Sequence, residues 1–236
     1  MLKKVLKFIG IGIGAILILA LGFFLYASSQ FSSRKEKIYA VQIQDLEIPS
    51  DSAAIARGKH IAIIKGCNDC HGEDYAGKVM MEDNAVGRLV AANITGAKGS
   101  ATEGFLDKDW VRALKHGIRK NGESLFLMPS YEYAQLSKED LADLIAYLKT
   151  LTAVEKDLPL TEIGPLSKIL THLDKMPLFP AEKIDHSAKY PTKPGAEDQL
   201  ALGKYLTASC VGCHGPQLKG APAPAPGKQV MLTWTF

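Results

Sequence analysis

The chain has little cysteine, no large excess of charge and, near its start, a long stretch with no charge at all. Only four of the 236 residues are cysteine, and the formal net charge is +3. Residues 1–37 hold six basic side chains and one acidic side chain, which leaves 22 basic against 24 acidic in the remainder. No basic stripe or nucleic-acid motif is present, which argues against a nucleic-acid partner.

Twenty residues without a charge, Phe8 to Ala27, follow three lysines and form an apolar stretch. Its twenty residues would form a helix of about 30 Å, long enough to cross the hydrocarbon core of a membrane. We therefore predict an N-terminal membrane anchor over residues 1–34. A cleaved signal peptide is the alternative, because the stretch ends in small residues, but its apolar run is longer than such peptides need. Either segment would export the rest of the chain.

All four cysteines lie in two copies of the pattern Cys-x-x-Cys-His, at residues 67–71 and 210–214. The pattern is typical of covalent haem attachment. Thiols three residues apart lie about one helical turn from each other, so both can add to one porphyrin edge. The histidine that follows can then bind the iron. The predicted attachment residues are Cys67, Cys70, Cys210 and Cys213, and the predicted iron ligands are His71 and His214.

Other uses of paired cysteines stay open at this point. The two pairs could form a four-thiolate zinc site, which would leave the repeated histidine without a role. Dithiol redox chemistry or structural disulfides would use the same residues. Haem attachment is the interpretation that gives a role to every repeated residue of the motif.

Similar stretches surround the two motifs and indicate an internal duplication with a period of 143 residues. Gly58 precedes the first motif as Gly203 precedes the second, and Gly77 corresponds to Gly220. Between the two copies, residues 152–196 contain six prolines. They predict a linker laid over the domain surfaces, with one short helix at about 166–173.

Three longer helices are predicted around the first motif. One spans about 53–65, and a second is N-capped by Asp107 and stopped by Gly117. The third begins at Ser137, which forms an approximate capping box with Asp140. The histidines of the first two helices, His60 and His116, are expected on exposed helix surfaces.

In this order, the elements of residues 52–151 resemble class I cytochromes c. In that family a helix bearing a glycine leads into the haem motif and is crossed by a C-terminal helix. Gly58 matches the crossing glycine, and Leu144 and Tyr147 match its partners. The resemblance also implies that Met128, in a Met-Pro loop, is the distal iron ligand. A buried methionine that only fills a gap is the alternative, and Met80, Met81, His172 and His186 are weaker ligand candidates.

The second copy departs from the family pattern. After His214 only 22 residues remain, whereas 80 separate His71 from Leu151. No second Met-Pro loop follows, and Met231 is a poor match to a distal ligand. We expect a truncated or frameshifted unit whose haem is missing, poorly covered or completed by a partner chain. A deliberately open iron site is the alternative.

The sequence therefore predicts an all-α protein. Its segments are an anchor or uncleaved signal (1–34), a cytochrome c-like domain (52–151), a proline-rich linker (152–196) and an incomplete second unit (197–236). At this scale the chain is similar to membrane-bound dihaem cytochromes c, including the cytochrome subunits of periplasmic dehydrogenases.

That resemblance implies a single-pass protein of the bacterial inner membrane with its haem domains in the periplasm. Haem c would relay electrons from a dehydrogenase or quinol-linked donor toward a terminal oxidase, and the chain itself would not be an enzyme. A dihaem peroxidase is an alternative that would need an open iron position and acid-base groups. A haem-based redox or gas sensor would need a signalling domain, which the chain lacks.

Overall fold

The computed structural model describes residues 2–210, 214 and 218–220, so Cys213 and Met231 lie outside the described residues. The helices in these ranges are α1 (Leu2–Lys35), α2 (Ser52–Ile64), α3 (Cys67–His71), α4 (Asp107–His116), α5 (Ser130–Tyr133), α6 (Lys138–Leu148), α7 (Pro165–His172) and α8 (Gln199–Leu206). The strands are β1 (Lys78–Asp83), β2 (Gly87–Ala91) and β3 (Glu162–Ile163), and short 3₁₀ turns occupy Pro180–Lys183 and Thr207–Ser209.

Helices α2 and α6 cross at Gly58, as the sequence predicts. A β-carbon at Gly58 would lie 1.9 Å from the carbonyl oxygen of Asp143 and 2.9 Å from Cβ of Tyr147. Only glycine lets the two backbones approach this closely. The start of α6 is also as predicted, since the Ser137 hydroxyl accepts a hydrogen bond of 3.2 Å from the Asp140 N–H.

The main core lies between α2, α4, α5 and α6. Its largest fully buried members on α6 are Leu141, Leu144 and Ile145, each 0% exposed. Helix α4 ends at Gly117 as predicted, with φ of 65°. It begins one residue earlier than expected, because Leu106 occupies the cap position and Asp107 is the first helical residue.

The prediction of an all-α fold was wrong in one respect. Strands β1, β2 and β3 form a three-stranded antiparallel sheet. Its first hairpin turns at residues 84–86, where the Asp83 carboxylate accepts hydrogen bonds of 2.8 and 2.9 Å from the N–H groups of Ala85 and Val86. The third strand comes from the proline-rich segment, so the sheet depends on a contact between residues more than 70 positions apart.

The proline-rich segment 152–196 contributes more than a surface covering. It supplies β3, α7 and a second hydrophobic cluster that includes Met176, Leu178 and Phe179, which are at most 6% exposed. The predicted short helix is present as α7. Proline fits the first position of this helix because that N–H would have no helical partner.

Helix α1 is joined to the rest of the fold at its C-terminal end. Among the residues described, it is the one helix long and apolar enough to cross a membrane by length and composition. Beyond the apolar stretch, the Phe31 ring packs 5.2 Å from that of Phe179. Arg34 pairs with Glu182 and donates a hydrogen bond of 2.8 Å to the carbonyl oxygen of Thr171.

The histidine of α4 is buried, contrary to the sequence expectation. His116 is 1% exposed, and its Nδ1 lies 3.2 Å from Nδ1 of His186 in the proline-rich segment. Nearby, the Lys115 ammonium lies 3.5 Å from the ring centre of Tyr190. The exposed face expected from α4 alone is thus covered by a segment distant in sequence, whereas His60 is exposed as predicted.

The buried histidine pair predicts a loss of stability in acid. Burial, with His186, Lys115 and Arg112 nearby, lowers the pKa of His116 from its ordinary 6.5 to about 4. Between these pH values the unfolded chain binds a proton that the folded chain rejects, so the free energy of unfolding should fall as the pH drops. Denaturant titrations between pH 7.5 and about 4 would measure this slope.

The matched variants are His116→Gln and His60→Gln. The first should reduce the dependence of the free energy of unfolding on pH in acid. Some dependence should remain because of His186, whose pKa is also lowered by burial. The second removes an exposed histidine and should leave the slope unchanged. An unchanged slope in His116→Gln would contradict the prediction.

Candidate haem site

The first Cys-x-x-Cys-His motif forms the short helix α3. Glycines in the left-handed region flank it, with φ of 67° at Gly66 and 85° at Gly72. These conformations let the chain turn sharply into and out of one helical turn. Cys67 and Cys70 are therefore one turn apart, as attachment to a single porphyrin edge requires.

The ring of His71 is held by the backbone. Its Nδ1 lies 2.7 Å from the carbonyl oxygen of Ala92. Because a carbonyl only accepts, this hydrogen bond places the proton on Nδ1 and leaves the lone pair on Nε2. Burial lowers the pKa of His71, which favours the neutral imidazole. An oriented, neutral imidazole is the form that ligates a metal.

The cysteines do not have the character of a redox dithiol. Burial raises the pKa of the Cys67 thiol to about 12 and also raises that of Cys70. Reactive dithiols have the opposite shift, toward thiolate at neutral pH. None of the three cysteines within the described ranges, at 67, 70 and 210, is in a disulfide.

Met128 lies on a loop with two successive tight turns. The Met128 N–H donates a hydrogen bond of 2.6 Å to the Phe126 carbonyl, and the Ser130 N–H donates one of 2.8 Å to the Met128 carbonyl. Between them Leu127 has a φ of 59°, which is unusual for a leucine. Such strain persists only where the surroundings hold the backbone, and it is common at functional sites.

Two contacts hold this loop in place. The Leu127 N–H donates a hydrogen bond of 2.9 Å to the carbonyl oxygen of Leu178, which belongs to the proline-rich segment. The Ser130 hydroxyl donates one of 3.0 Å to the carbonyl oxygen of Ala113 on α4. Sequence reasoning missed the role of Leu178, because no local pattern links it to the Met-Pro loop.

Two adjoining cavities bring the predicted site residues together. They enclose about 900 and 1090 Å³ of empty space, counting their open mouths. Cys67, His71 and Met128 line both cavities, and Cys70 lines the first. The remaining walls are mainly apolar, with aromatic or aliphatic side chains from α4, β2 and the Met-Pro loop.

One edge of the cavities carries positive charge. Arg119 lines both cavities, and Lys120 and Asn121 line the second. Burial lowers the pKa of Arg119, whose guanidinium carbon lies 5.4 Å from the ring centre of Phe126. A guanidinium that lines an otherwise apolar slot suits an anionic substituent on a flat ligand.

The residues present fit a covalently attached haem. The two adjoining cavities together form one slot. It offers two thiols one turn apart, a neutral imidazole with a free Nε2, and a thioether that lines the same cavity. This is the donor set of a haem iron with histidine and methionine as axial ligands. The structure thus brings together four of the predicted site residues, Cys67, Cys70, His71 and Met128.

The described part of the second motif repeats one backbone feature of the first. The Gly77 N–H donates a hydrogen bond of 2.7 Å to the His71 carbonyl, and the Gly220 N–H donates one of 2.9 Å to the His214 carbonyl. Both glycines have positive φ, at 82° and 94°. Cys210 and His214 are exposed. The predicted attachment residue Cys213 and the weak ligand candidate Met231 lie outside the described residues.

The second unit contacts the first at the start of α6. The Tyr205 hydroxyl donates a hydrogen bond of 2.6 Å to the Asp140 carboxylate and accepts one of 2.9 Å from the Ser137 N–H. Cys210 directly follows the 3₁₀ turn Thr207–Ser209, whose backbone lies near α5 of the first unit.

Comparison with known proteins agrees with this geometry. Residues 55–152 match the family model for cytochrome c. The chain is 28% identical over 184 residues to an alcohol dehydrogenase (quinone) cytochrome c subunit from Gluconacetobacter polyoxogenes, covering 71% of this chain and 37% of that protein. It is 29% identical over 179 residues to a gluconate 2-dehydrogenase cytochrome c subunit from Pantoea cypripedii, covering 71% and 39%.

A third relative is a fructose dehydrogenase cytochrome subunit from Gluconobacter japonicus. It is 29% identical over 182 residues, covering 70% of this chain and 35% of that protein. The chain thus spans well under half the length of the relatives it matches. These relatives are cytochrome subunits, which agrees with the prediction of electron transfer without an enzymatic site.

Proposed function

We propose, from the premise that residues 55–152 are a cytochrome c domain, that this chain is a membrane-tethered electron carrier. Haem c would be attached through Cys67 and Cys70 and ligated by His71 and Met128. The observation that carries the proposal is that all four side chains line one apolar slot. With both axial positions filled, the iron would exchange electrons and offer no position to a substrate.

The chain's own residues set the conditions for this exchange. The Ala92 carbonyl orients His71, and the Leu178 and Ala113 carbonyls hold the methionine loop. Because these contacts fix both ligands in advance, the positions of the ligands should change little between the ferrous and ferric states of the iron. The apolar walls exclude water from most of the slot, which favours the less charged ferrous state. The positive charge of Arg119 also favours the ferrous state.

A second haem is proposed at Cys210, Cys213 and His214. Its support is the repeated sequence motif, the shared glycine-to-histidine hydrogen bond, and the contact of Tyr205 with Asp140 of the first unit. Two haems would form a relay for single electrons. The distal ligand of this second iron is left unassigned.

The location and partners follow from the same premise. Helix α1 would cross the bacterial inner membrane once, with the haem domains in the periplasm, where bacterial c-type haem is attached. The names of the relatives support a dehydrogenase as the electron donor. A quinol-linked donor and a terminal oxidase as acceptor complete the proposed path.

Haem counting tests the proposal. Haem per polypeptide would be measured by the pyridine haemochrome method for the wild type and for two double variants, Cys67→Ser/Cys70→Ser and Cys210→Ser/Cys213→Ser. We expect about two haems in the wild type and about one in each variant. Carbon monoxide should leave the spectrum of the first haem unchanged.

Each other outcome has a defined meaning. One haem in both the wild type and the Cys210→Ser/Cys213→Ser variant would contradict the second site and leave the first intact. The absence of covalent haem from protein made in a host competent for cytochrome maturation would contradict the whole proposal. Carbon monoxide binding to the first haem would favour an open iron and a haem enzyme.

A further inference from the structure

Helix α7 has its polar and apolar faces partly reversed relative to a surface helix of a water-soluble domain, although Leu170 packs against the second hydrophobic cluster. Its small hydroxyl residues Ser167 and Thr171 are 0% exposed, whereas Leu166 is 41% exposed and Leu173 is 49% exposed. A helix on a protein surface normally buries its leucines and exposes its hydroxyls. The reversal indicates that the outer face of α7 meets something other than water.

The buried hydroxyl face is tied to the protein. The Ser167 hydroxyl donates a hydrogen bond of 2.8 Å to the Val86 carbonyl in the turn between β1 and β2. The Thr171 carbonyl accepts one of 2.8 Å from Arg34. These contacts fix the rotation of α7 about its axis. Leu166, the half-buried Ile169 and Leu173 then follow one another along the outer face at helical spacing.

The position of α7 along α1 identifies what this face meets. The His172 ring lies 5.8 Å from the Phe23 ring and 5.2 Å from the Tyr26 ring, both in edge-on geometry. These rings belong to the last five residues of the apolar stretch that ends at Ala27. At 1.5 Å per residue, Phe23 lies only about 6 Å inside that end. A helix touching these rings lies at the boundary of the membrane.

We propose that α7 is a second membrane contact, in which Leu166, Ile169 and Leu173 insert into the outer leaflet beside α1. This inference rests on the proposed function, because it requires α1 to be a retained anchor. Lys168 on α7 and the exposed Lys175 just after it suit the headgroup region and its anionic lipids. The apolar face is small, but tethering by α1 makes its insertion an intramolecular step.

The contact would set the orientation of the haem slot. Phe31, about 6 Å beyond Ala27 along α1, stacks on Phe126 with ring centres 6.5 Å apart, and Phe126 lines the first cavity. With α1 and α7 both held by the bilayer, the methionine side of the slot faces the membrane surface.

Spin labels can measure the depth of α7 in the full-length haem protein. Cysteine would be introduced at Leu166 or Leu173, labelled, and reconstituted in vesicles of phosphatidylethanolamine and phosphatidylglycerol. Collision rates with oxygen and with a water-soluble nickel chelate then report depth. Control labels are placed at Ile18 within the apolar stretch and at Glu139, which is exposed on α6. Labelled protein without an added cysteine gives the background.

We expect the labels at 166 and 173 to lie about 5–10 Å into the headgroup and acyl boundary, with the label at 18 deeper and the label at 139 in water. If the labels at 166 and 173 match the label at 139 while 18 is in lipid, this inference is wrong and the anchor stands. Labels at 166 and 173 that neither reagent reaches would mean that protein covers the face, which also overturns it. An aqueous label at 18 would overturn the anchor itself.

Discussion

Gly58→Ala should lower the free energy of unfolding by about 3 kcal/mol or more. The added β-carbon would lie 1.9 Å from the Asp143 carbonyl oxygen and 2.9 Å from Cβ of Tyr147. Neither neighbour is the free end of a flexible side chain, so α2 and α6 must separate to admit the methyl group. That separation would loosen the core built around Leu141, Leu144 and Ile145. Denaturant unfolding of the ferric protein, followed by far-ultraviolet circular dichroism, measures the effect.

The similar stretch that precedes the second motif supplies a matched control. Gly203 occupies the equivalent position on α8, and no described atom lies within 4 Å of a β-carbon built there. Gly203→Ala should therefore cause no loss, and a gain of up to about 1 kcal/mol from helix propensity is expected. Similar destabilisation by the two substitutions would show that the α2–α6 crossing does not explain the effect at Gly58.

Met128→Leu should remove the sulfur-to-iron charge-transfer band of the first haem and lower its reduction potential on the order of 0.1 V. Leucine keeps the apolar volume of the side chain, so the loop should keep its packing. The missing thioether no longer stabilises the ferrous iron, and the vacated axial position should now bind carbon monoxide. Absorption spectra and a potentiometric titration measure these changes.

Met80→Leu is the matched substitution for this test. Met80 lines the same cavity from β1 and packs in the second hydrophobic cluster. The Met80→Leu variant should keep the charge-transfer band and a reduction potential close to that of the wild type. If the band survives Met128→Leu and is lost in Met80→Leu, the distal ligand has been assigned to the wrong methionine.

Much of the candidate site could be predicted from sequence because its chemistry is local. The spacing of Cys67, Cys70 and His71 on one helical turn is a property of five consecutive residues. Ser137 as a helix cap and Gly117 as a helix stop also depend on near neighbours, and the structure confirms both. Gly58 and Met128 came from the order of elements in a resembling family, which supplied the long-range pairing that sequence spacing alone lacks.

Other features could not be predicted, since each depends on residues far apart in the chain. Burial of His116 requires His186, and the small sheet requires a strand from a segment expected to be a linker. The hydrogen bond from the Leu127 N–H to Leu178 joins the same segment to the methionine loop. Prolines correctly argued against long helices there, but they carry no information about where an extended segment docks.

The sequence by itself determined the chemistry: paired thiols with an adjoining imidazole, a methionine loop, and an uncharged stretch of membrane-spanning length. These depend on residue type and short spacing, which the chain carries before it folds. Only the tertiary structure decided that His71 and Met128 share one slot, that the proline-rich segment holds the methionine loop, and that Leu166 and Leu173 face outward at α7. Orientation and burial are properties of several segments packed together, and no single stretch of residues encodes them.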